Sequence, residues 1–409
     1  MRLLVMIGLT SLVVVSCTSK KVEMKTGAWR GIISLQEQQL PFNFEVIKEG
    51  EKYSANLING DEKILLDEVE VNGDSISMAL HIFDAALVAK IEDGKLTGSF
   101  VKNYAKDASL PFSATFGESF RFSSDSVATQ DYSGKYAVQF INAKNDTTLS
   151  VAIFHQKGNQ VTGTFLTPTG DYRYLQGNVV EGKLMLSTFD GNHAFLFSAT
   201  KSGETLTGDF YSGKTSHETW TGIKDEQAKL PDAASLTYLK PGFEKLEFSF
   251  PDLAKNRISP SDEKYKGKVL VLQIFGTWCP NCMDETKFLT NWYKANSSRG
   301  VEILGLAYER KDDFDYASGR VTKMKEKLGV PYDFVIAGTN DKEKASLTLP
   351  ALNRIISFPT TIFIGKDGKV KHIHTGFSGP GTGIYYDQFI QYFNETVNEL
   401  LAEELTSKK

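Results

Sequence analysis

The chain has 409 residues, room for two or three domains at ordinary domain sizes, and only three cysteines, Cys17, Cys279 and Cys282, too few for a disulfide-stapled scaffold. Hydrophobic residues at 41% and charged residues at 23% describe a chain that buries a substantial core, which excludes wholesale disorder. The formal charge of -4, from 46 Lys plus Arg against 50 Asp plus Glu, comes with no Lys/Arg-rich run and so excludes the basic footprint of a nucleic-acid partner.

Arg2 precedes an apolar run from Leu3 to Ser16, broken by Gly8, Thr10 and Ser11 and ended by Cys17. Its fourteen residues fall short of the about 20 that a spanning helix needs. A positive start, a short apolar middle and a small residue before the cut are the pattern of a secretory signal. The end, Val14-Val15-Ser16-Cys17, resembles a bacterial lipobox, in which the cysteine becomes the lipid-bearing first residue of the mature chain. The polar Thr18-Ser19-Lys20-Lys21 that follows suits this reading; a plain signal, or an uncleaved anchor with an incidental cysteine, is the alternative. Residues 1–17 are therefore expected to be a signal peptide and lipobox, lipidated at Cys17, which leaves the mature chain at 45 against 50, or -5. The expected location is the bacterial cell envelope, lipid-anchored and facing the periplasm. No later segment reaches the 18 consecutive apolar residues of a membrane helix.

From Gly27 to about Lys224 the chain reads as short strands. Phe42, Phe44 and Val46 alternate with polar residues, as do Tyr53, Ala55 and Leu57, and Asn59-Gly60, Asn72-Gly73 and Asp93-Gly94 mark turns. This spacing predicts an antiparallel sandwich or barrel. The region is also duplicated: Gly27-Ala28-Trp29 has a partner in Gly134-Lys135-Tyr136, Phe83-Asp84 in Phe189-Asp190, and Leu96-Thr97-Gly98-Ser99-Phe100 in Leu206-Thr207-Gly208-Asp209-Phe210, at offsets of 107, 106 and 110. Two β repeats are expected, at 26–124 and 125–228. Glycine in the Leu-Thr-Gly-x-Phe strand marks a bend, and the aromatic residues read as core, with a ligand pocket as the alternative. The units weakly resemble the lipocalin-like β modules fused to redox domains in secreted bacterial proteins.

A linker with Pro231 and Pro241-Gly242 is expected at 229–242. Beyond it, Val269-Leu270-Val271-Leu272-Gln273-Ile274-Phe275 reads as a strand buried on both faces. Helical patterns alternate with the further apolar runs Val301 to Ala307, Phe334 to Ala337 and Thr361 to Ile364, which predicts an α/β domain over 243–409.

Directly after the buried strand comes Gly276-Thr277-Trp278-Cys279-Pro280-Asn281-Cys282, then a helical stretch with Glu285, Phe288, Leu289 and Trp292. Trp-Cys-x-x-Cys at a strand-to-helix junction resembles the thioredoxin fold. A cysteine at a helix N-terminus meets unpaired backbone N–H groups that favour thiolate, so Cys279 is the expected nucleophile. Pro280 suits the first helical turn, and Cys282, one turn further in, is placed to close a disulfide with it. A structural zinc site normally needs four ligands, and no second Cys-x-x-Cys exists; His372 and His374, two apart on one strand, could be recruited but read better as partly exposed strand residues. A permanent structural disulfide would close too small a loop to stabilise much. No metal and no cofactor is expected.

Ser357-Phe358-Pro359-Thr360 lies downstream, before a strand. The thioredoxin fold carries a proline there, after a cis bond, in a loop that faces the disulfide; Pro359 matches it, and the resemblance gives Phe358 the role of pairing its backbone with an extended substrate. Within the superfamily, about Phe243 to Leu401 resembles the TlpA/ResA-like group of membrane-tethered thiol-disulfide oxidoreductases. That group tends to carry an acid three residues after the second cysteine, where Glu285 stands. Thioredoxin uses a buried Asp six residues before its first cysteine; here that position is Gln273, which does not titrate, so Glu285 is the candidate to take the proton of Cys282. A solvated helix carboxylate is the alternative. Thr286-Lys287 replaces the proline that commonly follows this acid. The Gly-rich stretch from His374 to Gly383 lacks the lysine and the strand-to-helix context of a phosphate loop and reads as a loop before the last helix, about Tyr386 to Leu401.

The resemblance implies an enzyme whose Cys279/Cys282 dithiol reduces disulfides of exported proteins and is recharged by a membrane-side thiol donor, with Trp278 shielding the site and touching substrate. Two rivals remain. A thiol peroxidase of peroxiredoxin type wants a Thr or Ser three residues before its cysteine, where this chain has Gly276 before Cys279 and Cys279 itself before Cys282. Alternatively the duplicated β region is the main functional part, binding a ligand or surface partner.

Overall fold

The structure is a computed structural model that describes residues 23–122, 127–128 and 130–404. Cys17 lies outside the described residues, as does residue 125, where the second repeat was expected to begin.

Alternation fixes the first sheet. Along Gly27–Leu35 the side chains of Trp29, Ile33 and Leu35 are buried while their neighbours are partly exposed, the period of two that a strand with one wet face requires. Eight antiparallel strands, from Gly27–Leu35 to Leu110–Phe116, close into a barrel in which Trp29 of the first strand lies opposite Phe116 of the last. The second sheet closes in the same way: Gly134–Asn142 pairs with both Thr147–Lys157 and Ser216–Lys224, and the short strand Gly170–Asp171 is appended to Gln160–Thr167. The region is thus two barrels rather than a sandwich. Their interiors are filled: Phe42 packs on Phe44 and Phe189 in the first, and Phe140, Phe165 and Trp220 form a mutually contacting set in the second. The aromatic residues are core.

The duplicated landmarks have physical causes. Trp29 donates its indole N–H to the Lys25 carbonyl (3.0 Å) and Tyr136 donates its hydroxyl to the Tyr132 carbonyl (3.1 Å), so both repeats pin the entry to the first strand with the residue four places on. A Cβ on Gly98 would lie 1.9 Å from the Val88 carbonyl oxygen, and one on Gly208 would lie 1.9 Å from that of Ser198. No side chain fits at either crossing, which is why glycine recurs there. Phe83 belongs to the hydrophobic core of the C-terminal domain and Phe189 to that of the first barrel, so the Phe-Asp landmarks lie where the domains meet.

In the C-terminal domain β1 (Val269–Phe275) is the central strand, buried along its whole length. With α1 (Pro280–Asn296), β2 (Val301–Glu309), α2 (Phe314–Leu328), β3 (Asp333–Thr339), α3 (Lys342–Thr348), β4 (Thr360–Ile364), β5 (Val370–Thr375) and α4 (Ile384–Ala402), it builds a sheet of order β3-β2-β1-β4-β5. The first three strands are parallel; β4 and β5 join antiparallel. This is the thioredoxin-like α/β arrangement the motif implied. The stretch read as a linker packs on this domain: Leu239 bridges to Leu352 and the Lys240 N–H donates to the Ala351 carbonyl (2.8 Å). Among the described residues no helix is long and apolar enough to cross a membrane.

Candidate active site

Parallel strands deliver their C-terminal ends to one edge of a sheet, where sites gather; β1 and β2 do so here. After β1 the chain turns through Gly276 and Thr277 into α1, whose N-cap is Cys279 and whose first residue is Pro280. The Cys279 sulfur accepts the Cys282 N–H at 3.2 Å and lies 3.3 Å from the Phe358 carbonyl, to which the thiol donates. The Phe358–Pro359 bond is cis. The Phe358 ring meets Trp278 edge-on at 5.4 Å, and the Trp278 indole N–H is held by the Tyr308 carbonyl at 2.8 Å. Trp278, Cys279, Cys282, Phe358 and Pro359, separated by about 80 residues of sequence, form one constellation. Cys279 is 7% exposed and Cys282 is fully buried; burial, reinforced by the neighbouring Cys279 sulfur, pushes the Cys282 thiol well above its ordinary range.

Glu285 is buried one turn beyond Cys282. Its two oxygens accept from the Thr361 hydroxyl (2.6 Å) and from the Gln273 amide (2.8 Å). Gln273 also exchanges hydrogen bonds with Thr286 at 3.1 and 3.2 Å. Gln273 and Thr286, each noted in the sequence only as a departure from a pattern, are therefore the scaffold that orients this carboxyl. Burial raises its pKa to about 7, so Glu285 is not a solvated helix carboxylate.

A second buried acid had no place in the sequence reading. Glu309, the last residue of β2, accepts the Thr277 N–H at 2.8 Å and its hydroxyl at 2.9 Å, which fixes the turn ahead of Trp278. A charged residue closing a fully buried parallel strand was the available signal. Burial raises Glu309 to about 7 as well. An acid whose folded pKa exceeds its unfolded value of 4.5 contributes stability that is full below about pH 4.5 and is lost as pH rises through about 7. Through these two acids urea unfolding is expected to lose a few kcal/mol between pH 5 and 8, a slope offset in part below about pH 6.5 by His81 and His374, whose lowered pKa values of about 4 act with the opposite sign. Glu309→Gln is expected to remove the share of the loss that Glu309 carries. An unchanged slope in the variant would count against the assignment.

The second barrel reaches this site. Asn281 donates its side-chain amide to the Asp171 carbonyl (3.1 Å), and Arg173 donates to the Pro280 carbonyl (3.1 Å) and pairs with Asp284. On the proline loop, the Ser357 hydroxyl donates to the Thr169 carbonyl (2.7 Å). On the other flank the Arg310 guanidinium stands 5.3 Å from the Trp278 ring and 3.9 Å from that of Tyr104, in the first barrel. Nothing local in the sequence marks Arg173 or Tyr104 as neighbours of the cysteines.

Among the described residues no group of three or more His, Cys, Asp or Glu is arranged to hold a metal. His374 stands on β5 against Phe389 and Tyr392, each at 5.2 Å, and burial lowers its pKa to about 4.

Residues 228–387 match the Redoxin family. The chain is 32% identical over 130 residues to the thiol-disulfide oxidoreductase ResA of Geobacillus kaustophilus, covering 32% of this chain and 66% of that protein. It is 28% identical over 130 residues to the thiol:disulfide interchange protein DsbE of Vibrio cholerae, covering 32% of this chain and 62% of that one. The chain thus spans less than two thirds of the length of these relatives. A solved thiol:disulfide interchange protein of the thioredoxin family from Chlorobium tepidum is 22% identical and covers 39% of this chain and 96% of its own, with a TM-score of 0.29.

Proposed function

We propose, from the premise that residues 228–387 form a ResA-like thioredoxin-fold Redoxin domain, that this chain is a thiol-disulfide oxidoreductase that reduces disulfides of exported proteins through Cys279 and Cys282. The observation that carries the reading is the Cys279 sulfur held between the Cys282 N–H and the Phe358 carbonyl, at the start of α1 and against Pro359.

The Cys279 thiolate attacks one sulfur of a client disulfide; that S–S bond breaks, one client sulfur leaves as a thiolate, and a mixed disulfide forms. The proton of Cys282 passes to Glu285. The Cys282 thiolate then attacks the Cys279 sulfur and releases the second client thiolate, so two electrons have moved to the client and the protein holds a Cys279–Cys282 disulfide. Trp278 shields the pair, and Phe358 with Pro359 aligns the client backbone. A membrane-side thiol donor restores the dithiol, and a lipid at Cys17 tethers the chain to the cell envelope, facing the periplasm. No cofactor is required, because both electrons reside in the thiols.

The test is turnover of insulin by the full chain with dithiothreitol as electron source. Accelerated precipitation of the insulin B chain supports the reading. Consumption of hydrogen peroxide without reduction of insulin would replace it with a peroxidase, a chemistry for which Gly276 offers no hydroxyl.

A further inference from the structure

We propose that the dithiol centre is a composite of two domains, in which Arg173 of the second barrel is a positioning residue that acts on Cys279 and Cys282 through Pro280 and Asp284. The inference rests on the dithiol reading above and adds a barrel residue to it.

Both residues between the cysteines are tied to the barrel. The Pro280 carbonyl accepts from Arg173 at 3.1 Å, and the Asn281 side chain donates to the Asp171 carbonyl at 3.1 Å. Asp284, two residues after Cys282, pairs with the same guanidinium. The first turn of α1 is the turn that presents the Cys282 N–H to the Cys279 sulfur, so its placement sets the geometry of that contact. The barrel approaches closely enough to constrain its own sequence: a Cβ on Gly170 would lie 2.7 Å from the Asn281 amide nitrogen.

Arg173 is 2% exposed. Besides Asp284 it pairs with Glu62 of the first barrel and lies 3.6 Å from Asp190. A buried guanidinium is tolerated only when paired, and these partners come from all three domains. Carrying its charge to the start of α1, Arg173 adds to the positive end of the helix, whereas Asp284 subtracts from it. Other ionisable groups near the cysteines and this cluster include Lys342, Arg310, Glu285, Glu309, Asp171 and Lys287, which lies 3.7 Å from Asp284, and none of them is altered in the test.

The opposite signs of Arg173 and Asp284 separate this role from simple docking. In the reduced full chain, Arg173→Met is expected to slow alkylation of Cys279 by iodoacetamide at pH 7 about tenfold. It is also expected to shift the equilibrium with glutathione about tenfold toward the disulfide, about 30 mV. Asp284→Asn is expected to move both quantities the other way. If both variants shift in the same direction, or both keep native values, the contact is only structural and the proposal fails. Should Arg173→Met not fold, Asp284→Asn decides: faster alkylation supports the composite centre, and a native or slower rate overturns it. Both readouts concern the thiols and not client turnover. Inert insulin with shifted thiols therefore overturns the proposed function and leaves the composite centre standing.

Discussion

Cys279→Ser is expected to reduce insulin no faster than the uncatalysed background, while Cys282→Ser is expected to accumulate a covalent complex with its client. The asymmetry follows from placement. Cys279 caps α1 and keeps the only exposure of the two sulfurs; Cys282 is sealed behind it with its thiol proton held by burial. Without Cys279 no client sulfur reaches a nucleophile. Without Cys282 the first exchange still proceeds and the mixed disulfide has no partner to resolve it. Non-reducing electrophoresis of each variant after incubation with insulin reads both outcomes, and equal behaviour of the two variants would contradict the assignment of roles.

Glu285→Gln is expected to slow the resolving step by about 10² to 10⁴, the usual contribution of a positioned general base, while leaving formation of the mixed disulfide near its native rate. Its carboxyl titrates near 7 because burial disfavours the charge. Only the carboxylate accepts a proton, so the native resolving rate should fall as pH drops through about 7, and the variant should lack that inflection. Single-turnover kinetics on a preformed mixed disulfide separates this step from the initial attack. The hydrogen bonds from Thr361 and Gln273 are retained in part by glutamine, so the loss reads the charge and not the packing. Glu309, with a similar pKa, supplies the control: Glu309→Gln should keep the inflection.

How much of this was legible in the sequence depended on whether the signal was local. The nearly continuous apolar run of β1 announced a strand buried on both faces, and Trp-Cys-x-x-Cys at its end announced the helix cap, because both are set by residues adjacent in the chain. The barrel repeats were legible through Gly98 and Gly208, where backbone approach admits no side chain. The choice between barrel and sandwich was not, since closure depends on the pairing of Trp29 with Phe116 across the whole repeat. Gln273 was recognised only as a residue that does not titrate; its function as the amide that orients Glu285 needed the fold. Arg173 was silent for the same reason, and Glu309 showed only as a charge closing a buried strand, with nothing to say that it holds Thr277. Each acts on a segment more than thirty residues away, through contacts that only packing creates.

The most direct test is the stoichiometry of electron transfer. Reduced full chain is mixed with limiting insulin in the absence of any other thiol, quenched in acid, and both partners are mapped by mass spectrometry. One Cys279–Cys282 disulfide formed for each client disulfide reduced is the predicted result. Client reduction without that disulfide, or oxidation of the pair without client reduction, would contradict the account.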